Sequence, residues 1–306
     1  MIPPENMPGR AREVETVLSG RLINRTLYID ASQADACAAL WATGRYTQLG
    51  IAERDNPGLG ELSCLATFAK VNSLHLMLDR AVDMTPLVAH AQELKRFFCN
   101  DELNSVGDCA PYTALQHLGQ RWRGDLHFAA SHPALQSLSL THFAPKSADL
   151  SGLPHAANLQ VLNLFKPVIK SLAGVWRFPL LQDLSISRAA KLVNITELVH
   201  LPSLQEISFE GCSKVQDFAP VVQDLVNVNK LVYSACAALP DLTFVSCLAR
   251  LRWLNILNTK VLSDDRSPIA SHPTLVQILC TSTHGASHTE AQLRQTLRSR
   301  DGAPYE

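Results

Sequence analysis

The chain has 306 residues, 46 % of them hydrophobic, with 27 basic and 28 acidic side chains and a formal net charge of −1. That balance supplies no global field to gather phosphate backbones or anionic lipid, so no nucleic acid and no membrane is expected as partner. The opening Met1-Ile2-Pro3-Pro4-Glu5-Asn6 has no basic region followed by an apolar core. No stretch nears the ~18 uninterrupted apolar residues of a membrane span, and the expected location is the cytoplasm.

In chain order, residues 1–23 are expected to form an N-terminal cap, with Val14, Val17 and Leu18 set among charged neighbours over the first repeat. A stencil then recurs through residues 24–283: an apolar residue, a second three later, a third two later. Its middle residues are Leu27, Leu49, Leu74, Phe97, Leu118, Leu138, Leu162, Leu184, Ile207, Leu231, Leu254 and Ile278, about 23 residues apart. Between Ile51 and Leu62, Asp55-Asn56-Pro57-Gly58 reads as a long loop within one repeat. Ahead of each stencil the apolar beats fall every third residue, as in Ile195 to Leu204, Leu126 to Leu135, Leu150 to Leu159, Leu172 to Leu181 and Leu242 to Leu251. That period suits a short 3₁₀ or extended segment better than an α-helix. Asp125, Asp149, Ser171, Asn194, Asp217 and Asp241 precede these segments as expected caps, and Pro133, Pro179, Pro202 and Pro273 close several of them. Cys212, Cys236, Thr259 and Thr283, just beyond the strands, are expected to bond the backbone of neighbouring turns. Residues 284–306 form the C-terminal cap and tail, with a short helix over Thr289 to Arg298.

Such self-similarity is the signature of a leucine-rich repeat solenoid or horseshoe, an α/β fold, and resemblance to that family implies a concave parallel sheet, here of about 12 strands, with short 3₁₀, extended or helical convex segments. Asn194-Ile-Thr-Glu-Leu-Val-His-Leu-Pro-Ser-Leu-Gln-Glu-Ile-Ser-Phe209 resembles the short 22-residue class of this family, seen in internalins and in a regulatory subunit of protein phosphatase. The resemblance runs from about residue 24 to 283 and is strongest from the sixth repeat. Earlier, Asn24 starts the first strand and Gln120 takes the third beat of the fifth. It implies protein recognition on the concave face and no particular partner.

Side chains flanking each marker should project from the concave face, since neighbours along a strand alternate. Tyr28, His75, Arg96, Phe98, His117, Arg121 and Trp122 then form a cluster rich in the aromatic and Arg types of binding hot spots. Asp183, Glu206 and Glu210 form an acidic area beyond Phe165, and Asp30, Asn100, Lys230 and Trp253 are also expected on this face. Basic-aromatic and acidic areas on one face suit a protein with complementary patches.

Cys280, His284 and His288 have ligand-like spacing, but Cys280 is a strand beat, so the three do not share a helix face and no metal site is expected. No Gly-rich phosphate loop and no Gly-x-Ser-x-Gly elbow occurs, and no cofactor is expected. Eight cysteines without a Cys-x-x-Cys pair read as free thiols in a reducing compartment. The expected role is non-enzymatic recognition of another protein by a chain that is monomeric alone. Its narrower form is a bacterial immunity or inhibitor protein covering the active site of a cognate toxin. The alternatives are an exported effector or adhesion module binding a host protein, and an enzyme with a site around His75, His117 and Arg121.

Overall fold

Leu27, Leu49, Leu74, Phe97 and Leu118 lie opposite one another on successive strands. Leu162, Leu184, Ile207, Leu231, Leu254 and Ile278 do the same. All of these, with Leu138, are at most 1 % exposed. Repeat spacing thus becomes strand register, because each marker buries its apolar surface against the marker of the next turn.

The computed structural model describes residues 6–18, 21–99, 103–104, 108–123, 133–281 and 285–298. Its strands are β1 (Arg12–Leu18), β2 (Arg21–Tyr28), β3 (Gln48–Ala52), β4 (Ser73–Met77), β5 (Arg96–Cys99), β6 (His117–Arg121), β7 (Ser137–Thr141), β8 (Val161–Phe165), β9 (Asp183–Ser187), β10 (Glu206–Glu210), β11 (Lys230–Ser234), β12 (Trp253–Ile256) and β13 (Gln277–Cys280). Strand order follows chain order. The chain divides into two compact units, residues 1–138 and 139–306, with the division inside β7.

In the first unit β2 to β6 are parallel, and β1 adds an antiparallel strand that the repeat stencil does not contain. Ion pairs hold it: Arg12 to Asp55 at 2.9 Å, Arg25 to Glu15 at 2.8 Å and Arg45 to Glu13 at 3.0 Å. Val17, expected to cover the first repeat, is instead 55 % exposed. On the outer side lie helix α1 (Ala34–Trp41) and 3₁₀ turns at Ser63–Thr67 and Thr85–His90.

In the second unit 3₁₀ turns at Leu150–Gly152, Val175–Arg177, Thr196–His200 and Thr243–Cys247 alternate with the strands, and two short helices, α2 (Phe218–Val222) and α3 (Ser267–Ala270), take equivalent places. Asp149, Asn194 and Asp241 accept the N–H of Ser151, Thr196 and Thr243 at 2.8–2.9 Å, and their oxygens are shared with the Ser or Thr hydroxyl. Ser171 makes a longer bond to Ala173. Asp30, Asp83 and Asp265 repeat the Asp-x-Ser/Thr arrangement with Ser32, Thr85 and Ser267, which the sequence reading missed. Asp217 does not cap. Its backbone is left-handed, φ 52°, and two residues on stands Ala219, with no hydroxyl to share its carboxylate. Asp125 and Leu126 lie outside the described residues.

Hydrogen bonds from Thr243 hold the Asp241 carboxyl below its ordinary 3.8, and bonds from Thr85 and Ser267 do the same for Asp83 and Asp265. A carboxyl lowered on folding stabilises the native state fully above its unfolded value and stops doing so as the pH falls through its folded value. Asp241→Ala is therefore expected to cost about 1 kcal/mol at pH 7 in a denaturant titration. Asp241→Asn should keep that stability, as Asn194 does in its own repeat, and shed its share of the acid sensitivity below about pH 4. Equal losses for both variants would mean that the Asp241–Thr243 bond does not stabilise the turn.

The ladder residues work as expected where they are described. The Cys212 N–H donates to Cys236 Sγ at 3.3 Å, the Cys236 N–H donates to Thr259 Oγ1 at 3.1 Å, and the Thr259 hydroxyl donates to the Tyr233 carbonyl at 2.7 Å. Thr283 lies outside the described residues. Asn56 does the same work in the long loop, donating to the Ile29 and Ala52 carbonyls and accepting from the Ala31 N–H, and Asn104 joins Arg80 and Val82. His272 is a further link: Nε2 meets the Leu248 carbonyl at 3.1 Å while Nδ1 accepts from the Leu275 N–H, which fixes the Nε2–H tautomer.

Helix α4 (Glu290–Arg298) packs on β13 and α3 with Leu293 and Leu297 buried. Thr289 and Gln292 form a reciprocal capping box at its start. Cys280 lies on β13, as its beat required, and His284 falls outside the described residues. All eight cysteines are free thiols. No helix among the described residues is long and apolar enough to cross a membrane.

Candidate functional site

The outer segments cover one side of each strand, so the other side offers rows of side chains in register. In the first unit one row runs Arg96 to His117 and the next runs Tyr28, Gly50, His75, Phe98 and Gly119. The glycines let the rings lie flat. A Cβ on Gly50 would sit 2.6 Å from Tyr28 Cδ1, and one on Gly119 would sit 2.5 Å from Phe98 Cδ1. The Tyr28 hydroxyl bonds to His75 Nδ1 at 2.8 Å, and the His75 and Phe98 rings meet edge-on at 6.5 Å.

Tyr28 was expected to be exposed, and it is not. The antiparallel register puts Arg12 opposite it, with the guanidinium 3.9 Å above the ring, and leaves Tyr28 5 % exposed. Asp30 is likewise buried, accepting bonds from the Arg10 and Ser32 N–H groups. Arg96 is exposed, while His75, Phe98, His117, Arg121 and Trp122 are half-buried; Trp122 follows the end of β6, out of the alternating rows. Asn100 lies outside the described residues.

Burial, aided by Arg12, pushes the His75 pKa below its ordinary 6.5, and burial beside Arg96 does the same for His117. Both imidazoles are therefore largely neutral at pH 7, and the positive charge of this face comes from its arginines. His75 on β4 and His117 on β6 are separated by β5 and offset by two residues along the strands, roughly 12 Å apart. They do not form a direct acid–base pair; the histidine partner the structure supplies is Tyr28.

In the second unit the corresponding row is Val161, Asp183, Glu206, Lys230, Trp253 and Gln277. Lys230 Nζ pairs with Glu206 Oε2 at 2.9 Å and lies 5.0 Å from the Trp253 ring centre. The lysine was expected on this face, but its pairing was not anticipated. Burial, then the charge of Glu206, raises the Asp183 carboxyl above its ordinary value. Glu210 is exposed and stands four residues along β10 from Glu206, roughly 13 Å away, so the acidic area is spread out rather than a single cluster. Phe165, 38 % exposed, is flanked by the cations of Lys166 and Arg188 at 5.4 and 5.3 Å. A shallow depression of about 240 Å³ is lined by Asn163, Asp183, Ser185, Glu206, Lys230 and Trp253 among others.

No family model and no curated protein matches the sequence. Solved structures do resemble the fold. A leucine-rich repeat protein of Leptospira interrogans aligns with 83 % of this chain and 71 % of its own at 17 % identity and a TM-score of 0.50. An internalin (inlF) of Listeria monocytogenes aligns over 91 % and 96 % at 12 % identity and 0.41, and an internalin C2 (inlC2) of the same species over 83 % and 84 % at 17 % and 0.34. Sequential strand order, a buried marker in every turn and the likeness to the Leptospira protein give this chain the leucine-rich repeat fold.

Proposed function

We propose that the chain is a non-enzymatic recognition protein that binds another protein on the open face of its sheet. The observation that carries this reading is the row on the first unit in which His75 and Phe98 are fixed by Tyr28, Gly50 and Gly119 beside exposed Arg96. Rings locked before contact bind with little loss of side-chain freedom, which is how hot spots gain affinity, and Arg96 adds a charge beside them. In this reading residues 1–23 and 284–306 are caps around a repeat region of 24–283. The narrower form is a cytoplasmic immunity or inhibitor protein, monomeric alone, that silences a toxin by covering its active site.

Affinity capture with the purified chain, mass spectrometry of what is retained, and an assay of the captured enzyme with and without the chain test this in steps. Arg96→Ala or Arg121→Ala is expected to weaken the complex by about 1 to 4 kcal/mol with little change in melting temperature. Wild-type affinity in both variants would move the binding surface elsewhere. Unchanged activity of the captured enzyme would end the inhibitor reading.

A further inference from the structure

We propose that the depression on the sheet face of the second unit holds an arginine side chain presented by the protein partner, an inference that rests on the recognition reading above. Three carboxylates, Asp183, Glu206 and Glu210, and one ammonium, Lys230, line it. Lys230 answers Glu206, whereas the carboxylate of Asp183, half-buried on the neighbouring strand in the same register, has no ion pair or hydrogen bond among the described residues. A carboxylate in that setting favours a cation beside it. Burial, then the charge of Glu206, raises its pKa, and Lys230 offsets only part of that rise.

The second observation is of a different kind. Trp253 Nε1 is shielded from solvent and no acceptor reaches it, although a buried indole N–H ordinarily finds one. In this proposal a backbone carbonyl next to the entering side chain becomes that acceptor once the atoms covering Nε1 move aside. Ser185 and Ser208 keep the adjacent row small, and at about 240 Å³ the depression falls below the ~300–1,000 Å³ of small-molecule sites. Arginine fits better than lysine for two reasons. Its planar fork can reach carboxylates on two adjacent strands at once, and it can lie against the Trp253 ring, where Lys230 already shows that a cation is favoured.

The test is a titration of the full chain, labelled with ¹⁵N at its 4 tryptophans, by the peptide acetyl-Gly-Arg-Gly-amide at low salt. The Trp253 indole signal, assigned with Trp253→Phe, should move saturably with a Kd on the order of millimolar, as suits one anchored side chain. The isosteric citrulline peptide should not move it. Asp183→Asn should weaken the arginine peptide by roughly fivefold or more while the other indole signals and the melting temperature stay in place. Three results would overturn the proposal: citrulline matching arginine, an affinity unchanged by Asp183→Asn, or saturation of the same signal by micromolar calcium chloride. If a captured partner binds the Asp183→Asn chain as tightly as wild type, protein recognition stands and the arginine seat alone fails.

Discussion

Replacing Ile207 by aspartate is expected to abolish cooperative folding of the chain at neutral pH. Ile207 is 1 % exposed and lies in register between Leu184 and Leu231, so a carboxylate there has neither water nor a counter-charge. Protonation would relieve the charge only at the expense of a large pKa rise and would still forfeit the apolar packing. The loss should exceed about 5 kcal/mol, comparable to the whole stability of many domains. Circular dichroism melting and size-exclusion chromatography would show it as a missing transition and an aggregated product. Glu206→Ala, one residue earlier and facing the other way, should change stability by less than about 1 kcal/mol, since it removes only a partly exposed ion pair. Similar melting losses for the two would mean that inner and outer positions have been exchanged.

Gly174→Ala is expected to be the next most damaging substitution, at about 3 kcal/mol or more. Two effects add. The residue has φ 93°, which L side chains rarely adopt, and a Cβ would lie 2.7 Å from the backbone nitrogen of Ser151 and 3.0 Å from Ser151 Cα in the preceding turn. A side chain could swing aside; a neighbouring backbone cannot without separating the two turns. Gly44 provides the control: φ is 70°, but nothing lies within 4 Å of an added Cβ. Gly44→Ala should cost only the conformational strain, about 1–2 kcal/mol. A denaturant titration that finds the two variants equally stable would show that close approach at Ser151 contributes nothing.

The apolar frame was legible because burial and register share one period. Once Leu184, Ile207 and Leu231 are recognised as copies, their alignment follows, and with it the outward direction of Glu206 and Lys230. The turn chemistry at Asp149, Asn194 and Asp241 was legible for the same reason. β1 was hidden because it carries none of the stencil and is held by ion pairs to Asp55, Arg25 and Arg45. The burial of Tyr28 was hidden with it, since only the antiparallel register brings Arg12 over the ring. Asn56 and Asn104 escaped notice because irregular loops place them seven residues past their markers, whereas Cys212, Cys236 and Thr259 stand five past theirs. Gly50 and Gly119 did leave a signal: each sits one residue after its marker, beside an aromatic at the same position of the preceding repeat.

The thiols of the ladder give the molecule a built-in clock. Cys212 is wholly enclosed, Cys236 beside it is partly accessible, and Cys247 on an outer turn is open to solvent. A small alkylating reagent such as iodoacetamide should label Cys247 at the rate of a free thiol. It should reach Cys212 only when its turn transiently lets go, so the ratio of the two rates measures how often that happens. Because each repeat leans only on its neighbours, the same ratio taken at Cys37, Cys109 and Cys280 would chart breathing along the stack, one turn at a time.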